Sequence, residues 1–138
     1  MCASICQNDW IWLYGQSKTK GQVVSLRNPL DKNQTLLRRI VGVPGDTIEF
    51  DQNGTLRINS KPIRRIDMGF YEDSRLIQEN IWAKNNTDNW KWLTLRHKKI
   101  TKRRSYDPQK LMDDEYFLLA DNRDNALDSR WWGPIHSD

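Results

Sequence analysis

Residues Leu118–Ile135 read "LLADNRDNALDSRWWGPI", and this stretch indicates the fold more strongly than any other part of the chain. An apolar run ends at Ala120, and Asp, Asn and Arg then occupy seven of the ten positions 121–130. Dense charge directly behind a strand-like segment is typical of a turn, a metal-binding loop or the frame of an active site. A calcium loop is not expected, because the interleaved Arg123 and Arg130 would repel the cation.

Length and composition indicate one ordered domain. A chain of 138 residues is long enough to bury a core and favours a single domain with an embellishment. Hydrophobic residues make up 37% and charged residues 29%, which is polar, but the seven Trp argue against disorder. The net charge of +4 permits contact with nucleic acid or an anionic membrane surface and establishes neither.

Few residues have the chemistry of a metal or cofactor site. Cys2 and Cys6 have no second Cys pair and no Cys/His cluster to accompany them, so a zinc site is not expected. His97 and His136 are isolated, and we expect neither to be catalytic. We therefore predict no metal and no cofactor.

The two ends of the sequence read as the inside of a domain. The stretch "CASICQNDWIWLY" follows Met1 at once, and "WWGPIHSD" ends the sequence without a polar tail. No segment approaches the ~20 apolar residues of a transmembrane helix, and no signal peptide is visible. We expect the domain to be incomplete at both ends.

Residues 9–58 alternate between short strand-like runs and turn signals. Aromatic and branched residues form the runs, and the turns are Asn28-Pro29, Pro44-Gly45-Asp46 and Asn53-Gly54. The strands predicted from these patterns, together with one late strand, are Trp10–Tyr14, Gln22–Arg27, Thr35–Val43, Thr47–Phe50, Thr55–Ile58 and Tyr116–Leu119. The fold class is therefore predicted to be mainly β.

Residues 59–113 depart from this pattern, and we interpret them as an insert in the β core. Their periodicity is weak, and both Leu76–Trp82 and Trp90–Leu95 are compatible with a strand or a short helix. The secondary structure of the insert is left open at this point.

The insert contains a basic run, Arg96–Arg104, with six Lys or Arg in nine residues, and three Trp precede it. Such a mixture could bind the phosphates and bases of a nucleic acid. It could also touch lipid headgroups, where Trp is favoured. The interpretation we favour is a solvated basic hairpin whose Trp side chains pack onto the core, because the run stands in an insert.

Two blocks taken together resemble signal peptidase I, the membrane-bound serine endopeptidase family that removes leader peptides. The blocks are "LLRRIVGVPGD", Leu36–Asp46, and "DEYFLLADNRDNALDSRWWG", Asp114–Gly133. Family members carry Lys-Arg before a Gly-x-Pro-Gly-Asp turn, and later Gly-Asp-Asn, a Ser, Asp-Ser-Arg and an aromatic-Gly. The positions that match are Arg39, Gly42, Pro44, Gly45, Asp46, Asp121, Asn122, Asp128, Ser129, Arg130, Trp132 and Gly133. The resemblance covers residues 1–58 and 111–138.

The resemblance implies a β-rich fold of short, coiled antiparallel strands over a single domain, residues 1–138, with 59–113 as an insert. It implies a groove in which an extended leader peptide adds as a strand. Leu37 would line a pocket for small side chains there, although ordinary core packing is equally compatible with this residue.

The resemblance also assigns roles around the charged stretch. Asp128 and Arg130 would form a partly buried ion pair. Asp121 and Asn122 would fix the turn through side chain to backbone hydrogen bonds. The remaining members of the site frame would be Gly42, Pro44, Gly45, Asp46 and Ser129.

This chain departs from the family at the catalytic positions. The family uses a Ser nucleophile and a Lys general base, which must be deprotonated to accept the Ser proton. Arg38 stands at the Lys position, and a guanidinium is effectively always protonated. Ala126 stands where the family has a Ser that orients the Lys, and the nucleophile would precede Met1.

The sequence therefore predicts a signal peptidase I-like chain that is non-catalytic as written. The alternatives are a peptide-binding or assembly relic of the family, a damaged or fragmentary gene copy, and a basic nucleic-acid-binding domain, which is the least expected. By resemblance, the partners would be leader peptides of exported proteins and a membrane surface. By the same resemblance, the location would be the outer side of the bacterial inner membrane or the intermembrane space of mitochondria. The hairpin after Asp46 resembles that of bacterial members and favours the bacterial location.

Overall fold

The computed structural model describes residues 11–12, 18–82, 89–97, 105–124 and 126–137. Within these ranges the chain forms twelve strands and one short helix, so the predicted mainly β fold is confirmed. In chain order the elements are β1 Ile11–Trp12, β2 Val23–Asn28, β3 Asp31–Gly42, β4 Thr47–Phe50, β5 Leu56–Ile58, β6 Lys61–Pro62, β7 Arg64–Tyr71, β8 Ser74–Trp82, β9 Asn89–His97, β10 Tyr106–Lys110, β11 Glu115–Leu119, α1 Ser129–Trp132 and β12 Ile135–His136.

The chain divides into two compact units. The first unit comprises Met1–Asp46, Lys110–Ala120 and Leu127–Asp138, and the second comprises Thr47–Gln109 and Asp121–Ala126. The prediction of a single domain with residues 59–113 as an insert stays a prediction. The predicted strand Trp10–Tyr14 lies mostly outside the described residues, which cover only β1.

The first unit contains a five-stranded antiparallel sheet in the order β1-β2-β3-β11-β12. Its hairpin β2–β3 turns at Pro29-Leu30, where the Oδ1 of Asn28 accepts a hydrogen bond from the N–H of Leu30 at 3.0 Å. This tight turn allows β3 to begin at Asp31, four residues before the predicted start. Alternate residues of the strands face the core, which is formed by Val24, Leu26, Ile40, Leu118, Trp132 and Ile135.

The second unit contains a four-stranded sheet in the order β10-β4-β5-β6 and a three-stranded sheet in the order β7-β8-β9. The hairpin β4–β5 is the predicted one, and β4 has the predicted bounds. Its turn is stabilised by the Oδ1 of Asp51, which accepts from the N–H groups of Asn53 and Thr55 at 2.9 Å each. Gly54, with φ +70°, supplies the left-handed conformation that the turn requires.

The three-stranded sheet resolves the segments that the sequence left open, because both are strands. Leu76–Trp82 lies in β8 and Trp90–Leu95 lies in β9. Alternate residues are buried at Glu79 and Ile81 of β8 and at Trp92, Thr94 and Arg96 of β9, so the buried positions include charged and polar side chains. The inward face is therefore partly charged, and a search for alternating hydrophobic residues could not recognise it.

A buried ion cluster links the three-stranded sheet to residues 121–126 within the second unit. Glu79 of β8 is fully buried and forms ion pairs with Arg123 and, at 3.3 Å, with Arg96 of β9. The indole Nε1 of Trp92 donates to Oε2 of Glu79 at 3.1 Å. Arg96, the first residue of the basic run, is thus paired in the interior. The rest of that run, apart from His97, lies outside the described residues.

The protonation states of this cluster follow from competing effects. Burial raises the pKa of the Glu79 carboxyl, but the charge and hydrogen bond of Arg123, the charge of Arg96 and the hydrogen bond of Trp92 outweigh it, and the net pKa lies below its ordinary value of 4.5. Burial lowers the pKa of Arg96 to about 10 despite the opposing charge of Glu79. At neutral pH the cluster therefore holds one carboxylate between two cations.

We expect Glu79→Gln to lower the free energy of unfolding by about 3–5 kcal/mol, because it leaves two buried guanidinium groups without their counter-charge. Urea unfolding of the variant and the wild type measures the difference. The control is Glu49→Gln, which breaks a pair with Arg57 that is 2.8 Å long and partly exposed. This pair is expected to contribute less than ~1 kcal/mol. Equal losses for the two variants would contradict the role assigned to the cluster.

The same cluster predicts an acid-labile contribution to stability. Because the folded-state pKa of Glu79 is lowered, its contribution is fully present above the unfolded-state pKa, near 4.5, and is lost as the pH falls through the folded-state value. We expect the free energy of unfolding to fall below about pH 4.5, and to fall less steeply in Glu79→Gln. Urea unfolding at a series of pH values tests this, and parallel curves for the two proteins would rule it out.

Candidate functional site

The first unit brings Arg38 of β3 to Leu127, which stands 89 positions later in the chain. The segment that begins at Leu127 continues into α1, a four-residue helix that the sequence patterns did not predict, since one turn shows no periodicity. Asp128 caps this helix in an extended conformation, with φ −154°, and its side chain accepts a hydrogen bond from the N–H of Arg130. The cap thus fixes the position at which the loop ends and α1 begins.

Asp128 is the centre of this segment and is fully buried. Its Oδ1 accepts from the backbone N–H and the Nε of Arg130 at 3.1 and 2.8 Å. Its Oδ2 accepts from Nη2 of Arg130 at 2.7 Å and from the backbone N–H of Ala120 at 3.1 Å. The structure thus contains the partly buried Asp128–Arg130 ion pair that the resemblance implied. The bond to Ala120 also attaches the helix cap to the end of β11.

Ser129 has a structural role in the described geometry. Its side chain is fully buried, and its Oγ accepts a hydrogen bond from the backbone N–H of Leu118 at 3.0 Å. This bond holds the first residue of α1 against β11 within the core of the first unit. The hydroxyl is therefore engaged in packing the helix, and the membership of Ser129 in a site frame stays a prediction.

Arg38 lies on the same face of β3 as the buried Ile40, and its side chain contacts the backbone of Leu127. Its Nε and Nη2 donate to the carbonyl oxygen of Leu127 at 2.9 and 2.7 Å. Its Nη1 donates to the carbonyl oxygen of Leu37 at 2.6 Å. The guanidinium therefore binds two backbone carbonyls and acts only as a donor.

The pKa of the Arg38 guanidinium is lowered from its ordinary value, mainly because the group is partly buried. The charge of Asp128 opposes this change, and the charge of Arg130 adds to it. Arginine nevertheless remains protonated in proteins. The side chain at this position is therefore a permanent cation.

Leu37 lies on the opposite face of β3 from Arg38 and is 66% exposed. The neighbouring strand places Val23 opposite Arg39, and Val23 is also exposed. Core packing, the alternative role considered for Leu37, is therefore excluded. Its predicted role in a peptide groove remains open and is compatible with the exposure.

The Pro44-Gly45-Asp46 turn follows β3 and is firmly anchored within the first unit. Pro44 followed by Gly45 with φ +88° is typical of a type II turn, closed by the bond from the N–H of Asp46 to the carbonyl of Val43 at 3.0 Å. The Asp46 carboxylate accepts from the N–H of Val43 at 3.0 Å and pairs with Lys20 at 2.8 Å. No pattern in the sequence indicated Lys20. These bonds account for Pro44, Gly45 and Asp46 as a structural turn, whereas Gly42 is the last residue of β3 and pairs with Phe117 of β11.

Asp121, Asn122 and Ala126 belong to the second unit. The carbonyl of Asp121 accepts from the N–H of Leu95 at 2.9 Å, and Asn122 lies beside Leu95 in a parallel bridge. The segment is thus attached to β9 through its backbone. The predicted side-chain bonds of Asp121 and Asn122, and the grouping of these residues with Arg38 in one site, stay predictions.

The part of the chain that the structure describes contains neither a metal-binding cluster nor a membrane-spanning helix. No group of three or more His, Cys, Asp or Glu side chains in the described ranges is arranged to hold a metal ion. Among the same residues, no helix has the length and hydrophobicity that crossing a bilayer would need.

We expect Asp128→Asn to lower the free energy of unfolding by about 3 kcal/mol or more, because the amide removes the buried negative charge that faces Arg130. The new amide nitrogen would also point a donor at N–H groups that need an acceptor. Urea unfolding measures the loss. The matched control is Asp113→Asn, an exposed position in the same unit, where the change should stay within about 0.5 kcal/mol. A similar small loss at both positions would refute the central role of Asp128.

Comparison with known proteins places the chain in a family. Residues 1–138 match the family model described as "Signal peptidase, peptidase S26". A signal peptidase I of Pseudomonas fluorescens is 30% identical over 118 residues, which cover 82% of this chain and 39% of the relative. A signal peptidase I of Bacillus amyloliquefaciens is 31% identical over 111 residues, which cover 80% of this chain and 47% of the relative.

A solved structure supports the fold independently of sequence. The crystal structure of a signal peptidase I from Enterococcus faecalis V583 superposes with a TM-score of 0.55 at 20% identity, covering 88% of this chain and 91% of the other. The chain spans between about two fifths and one half of the length of the curated relatives named above, 39% and 47%. With the whole of residues 1–138 matched, the chain belongs to the signal peptidase family, peptidase S26.

Proposed function

We propose that this protein binds leader peptides of exported proteins and does not cleave them by the Ser/Lys chemistry of its family. The observation that carries the proposal is the hydrogen bonding of Arg38, which stands at the general-base position of the family motif. Its guanidinium donates to the carbonyls of Leu127 and Leu37, at distances between 2.6 and 2.9 Å.

A general base must offer a lone pair to the proton that it removes. A Lys can do so when its surroundings lower its pKa to near the working pH. A guanidinium has no acceptor and does not lose its proton in proteins. Burial lowers the pKa of Arg38, but the guanidinium stays protonated and therefore still lacks the lone pair that a base needs. The side chain can therefore orient or attract a ligand and cannot accept a proton from a nucleophile.

Ala126 supports the same conclusion from the family motif. The motif places there a Ser whose hydroxyl orients the Lys, and the methyl group of Ala126 cannot form a hydrogen bond. An orienting hydroxyl serves no purpose when the base is absent. The two changes are therefore consistent with a chain that has lost proton transfer as a whole.

Peptide binding is the part of the family's activity that these changes leave possible. Family folds take an extended peptide as an added strand, which needs backbone hydrogen bonds and side-chain pockets and no base. The exposure of Leu37 supports a pocket role, since its side chain is available to a ligand. By the same resemblance we propose that the protein works at a membrane surface, on the outer side of the bacterial inner membrane.

Nucleic-acid binding is the weaker candidate. Arg96, which begins the basic run, is buried and paired with Glu79, so it offers no cation to a phosphate. The described residues therefore give this candidate no support beyond composition.

We expect no site-specific cleavage of a leader-peptide substrate by the full-length protein, together with saturable binding of the same substrate. Mass spectrometry of the incubated substrate detects cleavage, and fluorescence anisotropy measures binding. Specific cleavage by the wild type would overturn the proposed lack of catalysis, and absence of binding would overturn the proposed peptide-binding function.

Two variants sharpen this test. Arg38→Lys alone should not produce cleavage, because it lacks the orienting hydroxyl at position 126. Arg38→Lys combined with Ala126→Ser restores both family residues, and only this protein is a candidate for regained activity if a nucleophile is present. Cleavage by Arg38→Lys alone would show that Ala126 is not a barrier.

A further inference from the structure

We infer that Arg38 binds the free C-terminal carboxylate of a peptide held by this protein, through Nη1 and Nη2 of its guanidinium. The inference rests on the proposed peptide-binding function and specifies the kind of peptide end that the site takes. It requires spare hydrogen-bond donors, an uncompensated positive charge and a position close to the end of the peptide.

The spare donors follow from the hydrogen bonds of Arg38. A guanidinium has five N–H donors. Among the residues that the structure describes, Arg38 uses three of them, from Nε and Nη2 to Leu127 and from Nη1 to Leu37. One N–H on Nη1 and one on Nη2 remain. A carboxylate with two oxygens matches such a pair of donors in a bidentate arrangement.

The charge balance around Arg38 favours an anion. Arg38 and Arg130 contribute two positive charges, and Asp128 contributes one negative charge. The oxygens of Asp128 already accept four hydrogen bonds from Arg130 and Ala120. The bonds that Arg38 makes go to neutral carbonyls. One positive charge in this partly buried group therefore has no directly bonded carboxylate among the described residues.

The position of Arg38 favours the C-terminal carboxylate of a peptide over other anions. A general base stands within hydrogen-bond reach of the nucleophile, and the nucleophile attacks the carbonyl carbon of the bond to be cut. When a peptide ends at that bond, the same carbon is the carbon of its terminal carboxylate. A cation at the base position would then face this carboxylate. A permanent cation is suited to hold it, whereas a Lys would hold it only in its protonated form.

The test compares two forms of one peptide with the full-length protein. The probe is an extended peptide ending in Ala, labelled at its N-terminus, with either a free C-terminal carboxylate or a C-terminal amide. We expect the acid to bind about tenfold more tightly than the amide, which corresponds to about 1.4 kcal/mol for charge-assisted hydrogen bonds at a partly exposed site. Fluorescence anisotropy gives both dissociation constants.

Variants at position 38 separate charge from geometry. Arg38→Gln should weaken binding of the acid about tenfold, so that the variant no longer prefers the acid over the amide. Arg38→Lys should retain part of the preference, because it keeps the charge and loses the two-pronged geometry. The matched control is Arg27→Gln, which removes one positive charge from an exposed position of the same unit and should change neither constant. Urea unfolding checks that each variant is folded.

The outcomes distinguish this inference from the proposed function. Equal binding of acid and amide by the wild type would overturn the carboxylate site and leave peptide binding intact. A preference for the acid that persists in Arg38→Gln would assign the carboxylate to another group and overturn the inference as well. If neither peptide binds, the proposed function fails and the inference fails with it.

Discussion

The buried carboxylate of Asp128 is the interaction on which the first unit depends. It accepts four hydrogen bonds, and these join the end of β11, the cap of α1 and the side chain of Arg130. A charge without exposure to water is tolerated only when every oxygen is satisfied, so the surrounding chain has little freedom to move. The carbonyl that receives Arg38 belongs to Leu127, the residue just before this anchor. Asp128 therefore helps to set the orientation of Arg38, because it holds the backbone that carries the acceptor of Arg38.

We interpret Arg38 as standing in place of the family's Lys, and the two residues differ in hydrogen-bond geometry and in how firmly they hold a proton. Both side chains are long and basic, but the planar guanidinium is made for fixed, multiple hydrogen bonds. Here the guanidinium donates to the carbonyl oxygens of Leu127 and of Leu37, the residue before Arg38 on β3. An ammonium group could not bond in this planar way, and a neutral amine would have a free lone pair. In the function proposed above, this position would serve proton transfer when it holds Lys and anion binding when it holds Arg.

Local sequence patterns predicted the local parts of the structure. The bounds of β4, the Asn53-Gly54 hairpin and the Pro44-Gly45 turn follow from residues that are adjacent in the chain. Resemblance added the Asp128–Arg130 pair, whose members are two residues apart. The parts that were missed depend on distant partners, such as Lys20 with Asp46 and Arg123 with Glu79. In the sequence, the buried polar residues of β8 and β9 cannot be told from exposed ones until their partners are known. The segments that form these strands were therefore compatible with either strand or helix.

The interleaving of the two units has a consequence for how the protein folds during synthesis. The chain leaves the second unit at Gln109, contributes β11 to the first unit, and returns to the second unit at Asp121. Glu79 meets Arg123 only after 44 further residues have been made, and the carbonyl of Gly54 meets Arg96 after 42. Contacts between residues so far apart in the chain form slowly, because the entropy of the intervening loop is lost before the contact adds any stability. Each unit contains a segment from beyond residue 120, so neither can be completed on the ribosome before that part of the chain has emerged.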